Sequence, residues 1–290
     1  MVSGAVRRKL AALLVTTWAF ATVSCGADEP RNVVAVGADS SAESLVLAQI
    51  YAQALARTGT PTAVVRDSAN PQADLDAGRI AVLPARDGAL LDRWNPAAPA
   101  RTPEDVVAAV NAALPQGLSA SDAADGTDLR SRLLVTEEFA ARDTVRTLAA
   151  LTPRCADLTA GYTELPGFPR TTPAPATIAD CAFATTRHYP DPQALGKALR
   201  DGEIQVGIVN GPPADAAAGL VVLDDPKYAL RAQNILALYR SGHFDRVQLK
   251  KLNYVAGELT TEGLTDLVRQ VRTGTDPAIA ARAWLDAHGL

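Results

Sequence analysis

The chain of 290 residues is short of the residues from which catalytic and metal sites are usually built. Its three histidines, His188, His243 and His288, stand single and scattered, so no pair has metal-ligand spacing and no metal site is expected. There is no glycine-rich phosphate loop and no Gly-x-Ser-x-Gly elbow. Ser40, Ser41 and Ser44 stand beside Glu43, but no histidine lies within sequence reach to act as base. Neither a catalysed reaction nor a cofactor is therefore expected, and an exported hydrolase has no nucleophile–base set behind it. Basic clusters are missing too: 28 Lys and Arg face 32 Asp and Glu, a net charge of −4, which argues against nucleic acid as a partner. Beyond the N-terminus no run approaches the roughly 18 apolar residues of a membrane span.

What is present begins with an export signal. Arg7, Arg8 and Lys9 form a positive start, residues 10–21 an apolar run, and Thr22-Val23-Ser24 a small-residue stretch ending at Cys25. A small residue before Cys is what a lipoprotein signal peptidase requires, although Thr22 stands where Leu is usual. The reading is a signal peptide over 1–24 and a lipidated Cys25 heading a tether over 25–32; ordinary cleavage with Cys25 incidental is the alternative. Cleavage there removes 24 residues carrying three bases, leaving 266 residues with net charge −7. Two acyl chains would hold such a protein stably at the outer face of the cytoplasmic membrane, at about 0.8 kcal/mol per buried CH₂.

Cysteine is otherwise limited to Cys155 and Cys181. In an exported chain two remaining thiols pair as a rule, and two free buried thiols are the alternative.

The middle and end of the chain alternate between strand and helix patterns. Residues 33–36, 62–65 and 80–83 read as strands, and 43–57 and 103–114 as helices, the latter capped by Thr102 with Pro103 in its first turn. Residues 117–126 read as a crossover, followed by a strand at 133–136 and a helix at 137–142. Residues 162–175, rich in Pro and Thr, read as an irregular surface loop. A helix at 193–200, strands at 204–209, 220–223 and 235–239, and helices at 244–253, 261–272 and 276–288 complete the pattern. Alternation of this kind implies α/β lobes with mainly parallel sheets and a ligand cleft at the carboxyl ends of the strands. Ser40 or Ser41, with Glu43 in the first turn, caps the first helix; the same amides could instead line a ligand cleft.

At these residues the chain resembles the substrate-binding proteins of osmoprotectant ABC importers, which take up glycine betaine, choline or carnitine. The resemblance rests on Gly37, Glu43 and Ile50-Tyr51-Ala52 in the first helix segment. It continues in LVTEEFAA at 134–141, ALRDGEIQVGIV at 198–209, LVVLDDPKYALRAQNILALYR at 220–240 and LNYVAGELTTEGLTDLVRQV at 252–271. It implies a two-lobed, type II periplasmic-binding-protein-like α/β fold, its lobes joined by two crossovers around a ligand cleft. The first lobe would take 32–115 and 217–290, and the second 116–216. The implied protein is a monomer that catches a small osmolyte and delivers it to permease and ATPase subunits; a diverged sensor or interaction lipoprotein of the same fold is the second reading.

The family holds quaternary ammonium in a cage of tyrosines, by cation–π attraction. Here the family's Pro-Glu-Tyr-Thr-Gly-Thr is replaced by Pro84-Ala85-Arg86-Asp87-Gly88-Ala89, so a cation stands at the tyrosine position. Arg86 could pair with Asp87 or another acid, leaving a cage of Tyr162, Tyr189 or Tyr228. It could instead clamp an anionic ligand, or face solvent; Arg86 and Asp87 are both taken as candidate ligand-binding residues. With aromatics at 5% of residues, rings for a cage are few. Tyr51 and Tyr239 are expected in the core. The family's Thr-Thr-Asp turn is replaced around Asn210-Gly211-Pro212-Pro213, which makes Asn210 a candidate contact. Asn234 matches a family Asn in the strand returning to the first lobe, as hinge or ligand contact.

Overall fold

The computed structural model describes residues 33–169, 177–212 and 219–290. Cys25, the tether, Pro213 and residues 170–175 of the Pro/Thr-rich stretch lie outside the described residues. The chain opens with strand β1 (Val34–Gly37), helix α1 (Ala42–Ala56), β2 (Thr62–Val65), α2 (Pro71–Asp76), β3 (Val82–Arg86), α3 (Asp87–Trp94), α4 (Pro103–Ala113) and β4 (Leu118–Ala120). A second group follows: β5 (Arg132–Thr136), α5 (Glu137–Asp143), α6 (Leu148–Leu151), β6 (Thr159–Glu164), β7 (Thr177–Ile178), β8 (Cys181–Ala182), β9 (Thr185–His188), α7 (Pro192–Arg200), β10 (Val206–Asn210) and β11 (Leu220–Val222). The chain returns through β12 (Ile235–Arg240) and ends in α8 (Arg246–Glu258), α9 (Thr261–Arg272) and α10 (Pro277–Ala287).

These elements build two five-stranded sheets, ordered β2-β1-β3-β12-β4 and β11-β5-β10-β6-β9. Both are mixed rather than mainly parallel. In the first, β1 runs parallel to β2 and β3, but β12 pairs antiparallel with both β3 and β4. The cause is topological: β12 enters its sheet from the second one, so it runs back against strands laid down on the way out. The change of sheet also falls later than the expected boundaries at 115 and 217. β4, inside the expected crossover, pairs with β12 in the first sheet, and β11 pairs with β5 in the second.

Helix α1 shows why this sequence folds locally as it does. Its Ala, Leu and Gln are strong helix formers, and Ser41 at its N-cap accepts from the amide of Ser44 at 3.2 Å. A helix apolar on nearly every side must be covered on every side. α1 is covered by β1, α8, α9 and α10, and Leu47, Ile50, Tyr51 and Leu55 are all fully buried or nearly so. The expectation that Tyr51 and Tyr239 belong to the core holds. Among the described residues no helix is long and apolar enough to cross a membrane.

The two passages between sheets run side by side. The amide of Ala124 donates to the Ile235 carbonyl at 2.7 Å and that of Leu129 to the Gln233 carbonyl at 3.0 Å. Thr127 Oγ1 accepts from the Ile235 amide at 3.0 Å, and Asn234 Nδ2 donates to the carbonyls of Ala124 and Thr127.

Cys155 and Cys181 form a disulfide, with Cα atoms 5.4 Å apart and a sequence separation of 26. It ties the 3-10 turn Thr152–Asp157 to β8 within the second sheet's apolar cluster. Closing a loop of that length stabilises by about 3.5 kcal/mol in the chain-entropy account. A Cys155→Ser/Cys181→Ser double variant is expected to lose roughly that amount in urea unfolding without reductant. An unchanged midpoint would show that the bond does not restrain the unfolded chain.

Candidate functional site

The carboxyl ends of β1 and β3 and the start of α1 enclose a cavity of about 430 Å³. Its wall is largely aliphatic, from Leu47, Leu83, Leu90 and Ile235 with Pro71 and Pro84, and Pro169 closes it from the loop after β6. Charge enters it from Asp39, Glu43, Arg86 and Arg93, and polar groups from Ser44, Asn70 and Gln72. A neighbouring, shallower cavity of about 510 Å³ is lined by Asp39, Ser40, Ser41, Phe168 and Arg272.

Arg86 and Glu43 form the floor. Arg86 Nε donates to Glu43 Oε1 at 3.0 Å and Nη2 to Oε2 at 2.6 Å, a two-bond clamp. The side chains are 11% and 3% exposed, so this is a buried ion pair, and the reading of Arg86 as a solvent-facing residue is corrected. The partner is Glu43 rather than Asp87. The pair forms because β3 delivers Arg86 at its carboxyl end while the first turn of α1 holds Glu43. The Arg86 guanidinium also lies over the Phe168 ring, 5.9 Å from its centroid.

The start of α1 is capped from within, as the serine-cap reading has it, while Ser40, Ser41, Glu43 and Ser44 line the two cavities. Ser41 caps the Ser44 amide, Asp39 Oδ1 accepts from the Ser41 amide at 2.7 Å, and the Glu43 amide donates to the Gly167 carbonyl at 2.9 Å. That last bond joins the first sheet's helix to the loop that leaves β6. Ser40 is exposed on the rim.

Asp87 is a second correction, because it is fully buried and lines neither cavity. Its Oδ1 accepts from the amides of Gly88 at 2.6 Å and Asn234 at 2.8 Å, while Oδ2 has no partner. Burial pushes its carboxyl up to about 7; the two amide donors oppose the rise, and the charge of Asp125 adds to it. Asn234, also buried, thus bonds to Asp87 at the start of α3 and to Ala124 and Thr127 of the other passage, and it lines neither cavity.

The tyrosines expected to form a cage line neither cavity, although the Tyr189 amide donates to the Tyr162 carbonyl at 2.9 Å. Tyr162 packs on His188, with ring centroids 5.1 Å apart, against the second sheet's core. Tyr189 lies over Gly161, where a Cβ would come within 2.7 Å of its ring, so glycine is required there. The face of Tyr228 is filled by Arg130, whose Cζ sits 4.2 Å from the ring centroid. Asn210 is spent on the second sheet, its Oδ1 accepting from Ser131 Oγ at 2.8 Å. Sequence reasoning missed Asp39, Asn70, Gln72, Arg93 and Phe168. A signal existed for the α2 pair: Asn70 followed by Pro71 is a cap with proline in the first turn.

Two mixed α/β sheets joined by two passages, with a cavity at the carboxyl ends of the strands, are the architecture of a two-lobed binding protein of type II. The sequence carries the finer assignment. Over residues 32–287 it matches the family described as the substrate-binding domain of ABC-type glycine betaine transport systems, and the chain belongs to that family. A comparison with curated protein sequences found no match. Among solved structures it is similar to a glycine betaine/carnitine/choline ABC transporter protein, with 19% identity over 88% of this chain and 98% of that one and a TM-score of 0.66. Apo YehZ from Escherichia coli follows at 17% identity, 89% and 99% coverage and a TM-score of 0.63. Lactococcal OpuAC, solved closed with glycine betaine, gives 15%, 88%, 96% and 0.51. At these identities the likeness is one of fold.

Proposed function

We propose that this chain is the extracytoplasmic solute-binding component of an ABC importer. It catches a small osmolyte, with quaternary ammonium compounds such as glycine betaine and choline as the family precedent, and hands it to permease and ATPase subunits. The observation that carries the reading is the family match over 32–287 together with the cavity at the ends of β1 and β3, closed by Pro169 from the other lobe. The work is capture by lobe closure and docking, with no reaction catalysed. Lipidated Cys25 would tether a monomer beside its permease and raise its local concentration there. Lobe motion would turn on the passages laced by Asn234.

Thermal-shift titration tests this reading with glycine betaine, choline, carnitine, proline betaine and anionic osmolytes. A solute at 100 times its Kd adds roughly 2.7 kcal/mol to the folded state, a rise of several degrees in Tm. At least one compound is expected to give such a rise, and none doing so would overturn the proposal. The diverged-sensor reading is favoured by one observation, that Arg86 stands where the family has a ring.

A further inference from the structure

Helix α8 turns a basic and apolar face to solvent in a chain whose formal net charge is −4. It packs on α1, burying Leu252, Val255 and Ala256, and leaves Val247, Lys250 and Tyr254 as an outward stripe flanked by Arg246 and Lys251. Val247 is 65% exposed and Tyr254 48%, two of only five large apolar side chains so exposed among the described residues, so the helix gathers what the surface elsewhere avoids. A third is Val33, where the described chain begins. Among the described residues Arg246, Lys250 and Lys251 form no salt bridge. The neighbouring Asp245 carboxylate is occupied in capping, accepting from the amides of Val247 at 2.8 Å and Gln248 at 2.9 Å, and Glu258 stands at the far end of the helix. Lys250 Nζ lies 5.2 Å from the Tyr254 ring centroid, so cation and ring share one patch.

Position says what covers this face. The Val34 amide donates to the Pro61 carbonyl at 2.8 Å, and the preceding residue, Thr60, accepts at Oγ1 from Gln248 Nε2 at 2.7 Å. Val33 therefore enters the fold beside the first turn of α8. On the reading that residues 25–32 tether the chain to a membrane, those residues reach at most about 29 Å, and α8 itself is about 20 Å long. A bilayer held that close meets α8, and the chemistry matches. Lys and Arg side chains find the phosphates of anionic lipids while their stems lie along apolar surface, and Tyr favours the boundary between headgroups and acyl chains. We propose that α8 lies against the bilayer, with Arg246, Lys250 and Lys251 on anionic headgroups and Val247 and Tyr254 at the headgroup–acyl boundary. Anchor and helix together then hold the first lobe in one orientation at the membrane, a two-point attachment in which the tether supplies the local concentration.

Cys155 and Cys181 are bonded to each other, so Cys25 is the free thiol of the mature chain and can be coupled to a maleimide phospholipid in vesicles. The coupling supplies the anchor whether or not a cell acylates Cys25. With brominated acyl chains as quencher, Tyr254→Trp on phosphatidylglycerol vesicles should lose at least half of the emission that the substitution adds. Lys197→Trp, exposed on α7 of the second sheet, should lose less than a tenth. Phosphatidylcholine vesicles, roughly 0.5 M salt, or Arg246→Glu with Lys250→Glu should each cut the quenching at α8 at least threefold. Equal quenching of the two indoles would overturn the inference. So would quenching indifferent to lipid charge, the result if Asp28 and Glu29 of the tether neutralise the face. No quenching at all would overturn it too and leave α8 to a protein partner. Solute binding is read separately by the thermal-shift panel and stands through each of these outcomes. A mature protein recovered from cells with Cys25 unmodified would overturn the tether reading and this inference with it.

Discussion

Arg86→Ala, with Glu43 left in place, is expected to lower the unfolding free energy by about 3–5 kcal/mol. Glu43 is 2% exposed, and its two oxygens are bound by Nε and Nη2 of the guanidinium. Removing the cation leaves a carboxylate without its bidentate partner beside Leu47, Leu83 and Ile235. The effect should appear in urea unfolding as a lower midpoint at unchanged slope. Converting both partners to apolar residues of similar size, Arg86→Met with Glu43→Leu, should recover most of the loss, since neither charge is then left alone. That asymmetry separates a buried pair from a surface pair, which contributes only about 0–1 kcal/mol. If Arg86→Ala unfolds at the wild-type midpoint, the clamp does not form in solution.

Asp87→Asn should act in the opposite direction, with an effect that grows as pH rises from about 4 to about 7 and is level beyond. The folded chain holds the Asp87 carboxyl at about 7, against an ordinary value of 3.8. Between those values the folded state binds more protons than the unfolded state, so stability falls as pH rises from about 4 to about 7 and is level beyond. The contribution is thus fully present below pH 4 and lost above pH 7. Asparagine keeps an oxygen for the amides of Gly88 and Asn234 and carries no charge into the core. Its nitrogen inherits the unpartnered Oδ2 position, which offsets part of the gain. The net expectation is about 2 kcal/mol of added stability at pH 8, little difference at pH 4, and a flatter profile between them. Thermal unfolding across that range reads it directly, and parallel profiles for the two proteins would refute the assignment.

What could be read beforehand was what local chemistry decides. α9 and β2 fall where hydrophobic spacing predicts them, and the first strand and helix differ only at their ends. The departures have non-local causes. β3 runs on to Arg86 because β12 pairs with it, a partner about 150 residues away. The stretch after Tyr162 begins as strand, since β10 and β9 flank β6 on both sides. The site was half legible for the same reason. Glu43 and Arg86 stood out individually, but nothing in their sequence spacing says that the end of β3 meets the first turn of α1. Asp87 looked like a ligand contact by adjacency to Arg86; alternation along the chain turns it into the core instead. The tyrosines were chosen as residue types, and each proves to have its ring engaged by His188, Gly161 or Arg130.

The second sheet is inserted between β4 and β12, so both described ends of the chain belong to the first sheet's side, where α1 packs against α10. An anchor upstream of residue 33 would therefore hold only that side. On the proposed reading the first lobe would be the stator and the second the rotor, turning on the doorway laced by Asn234. The Glu43 amide to Gly167 carbonyl bond would then be a latch between the two.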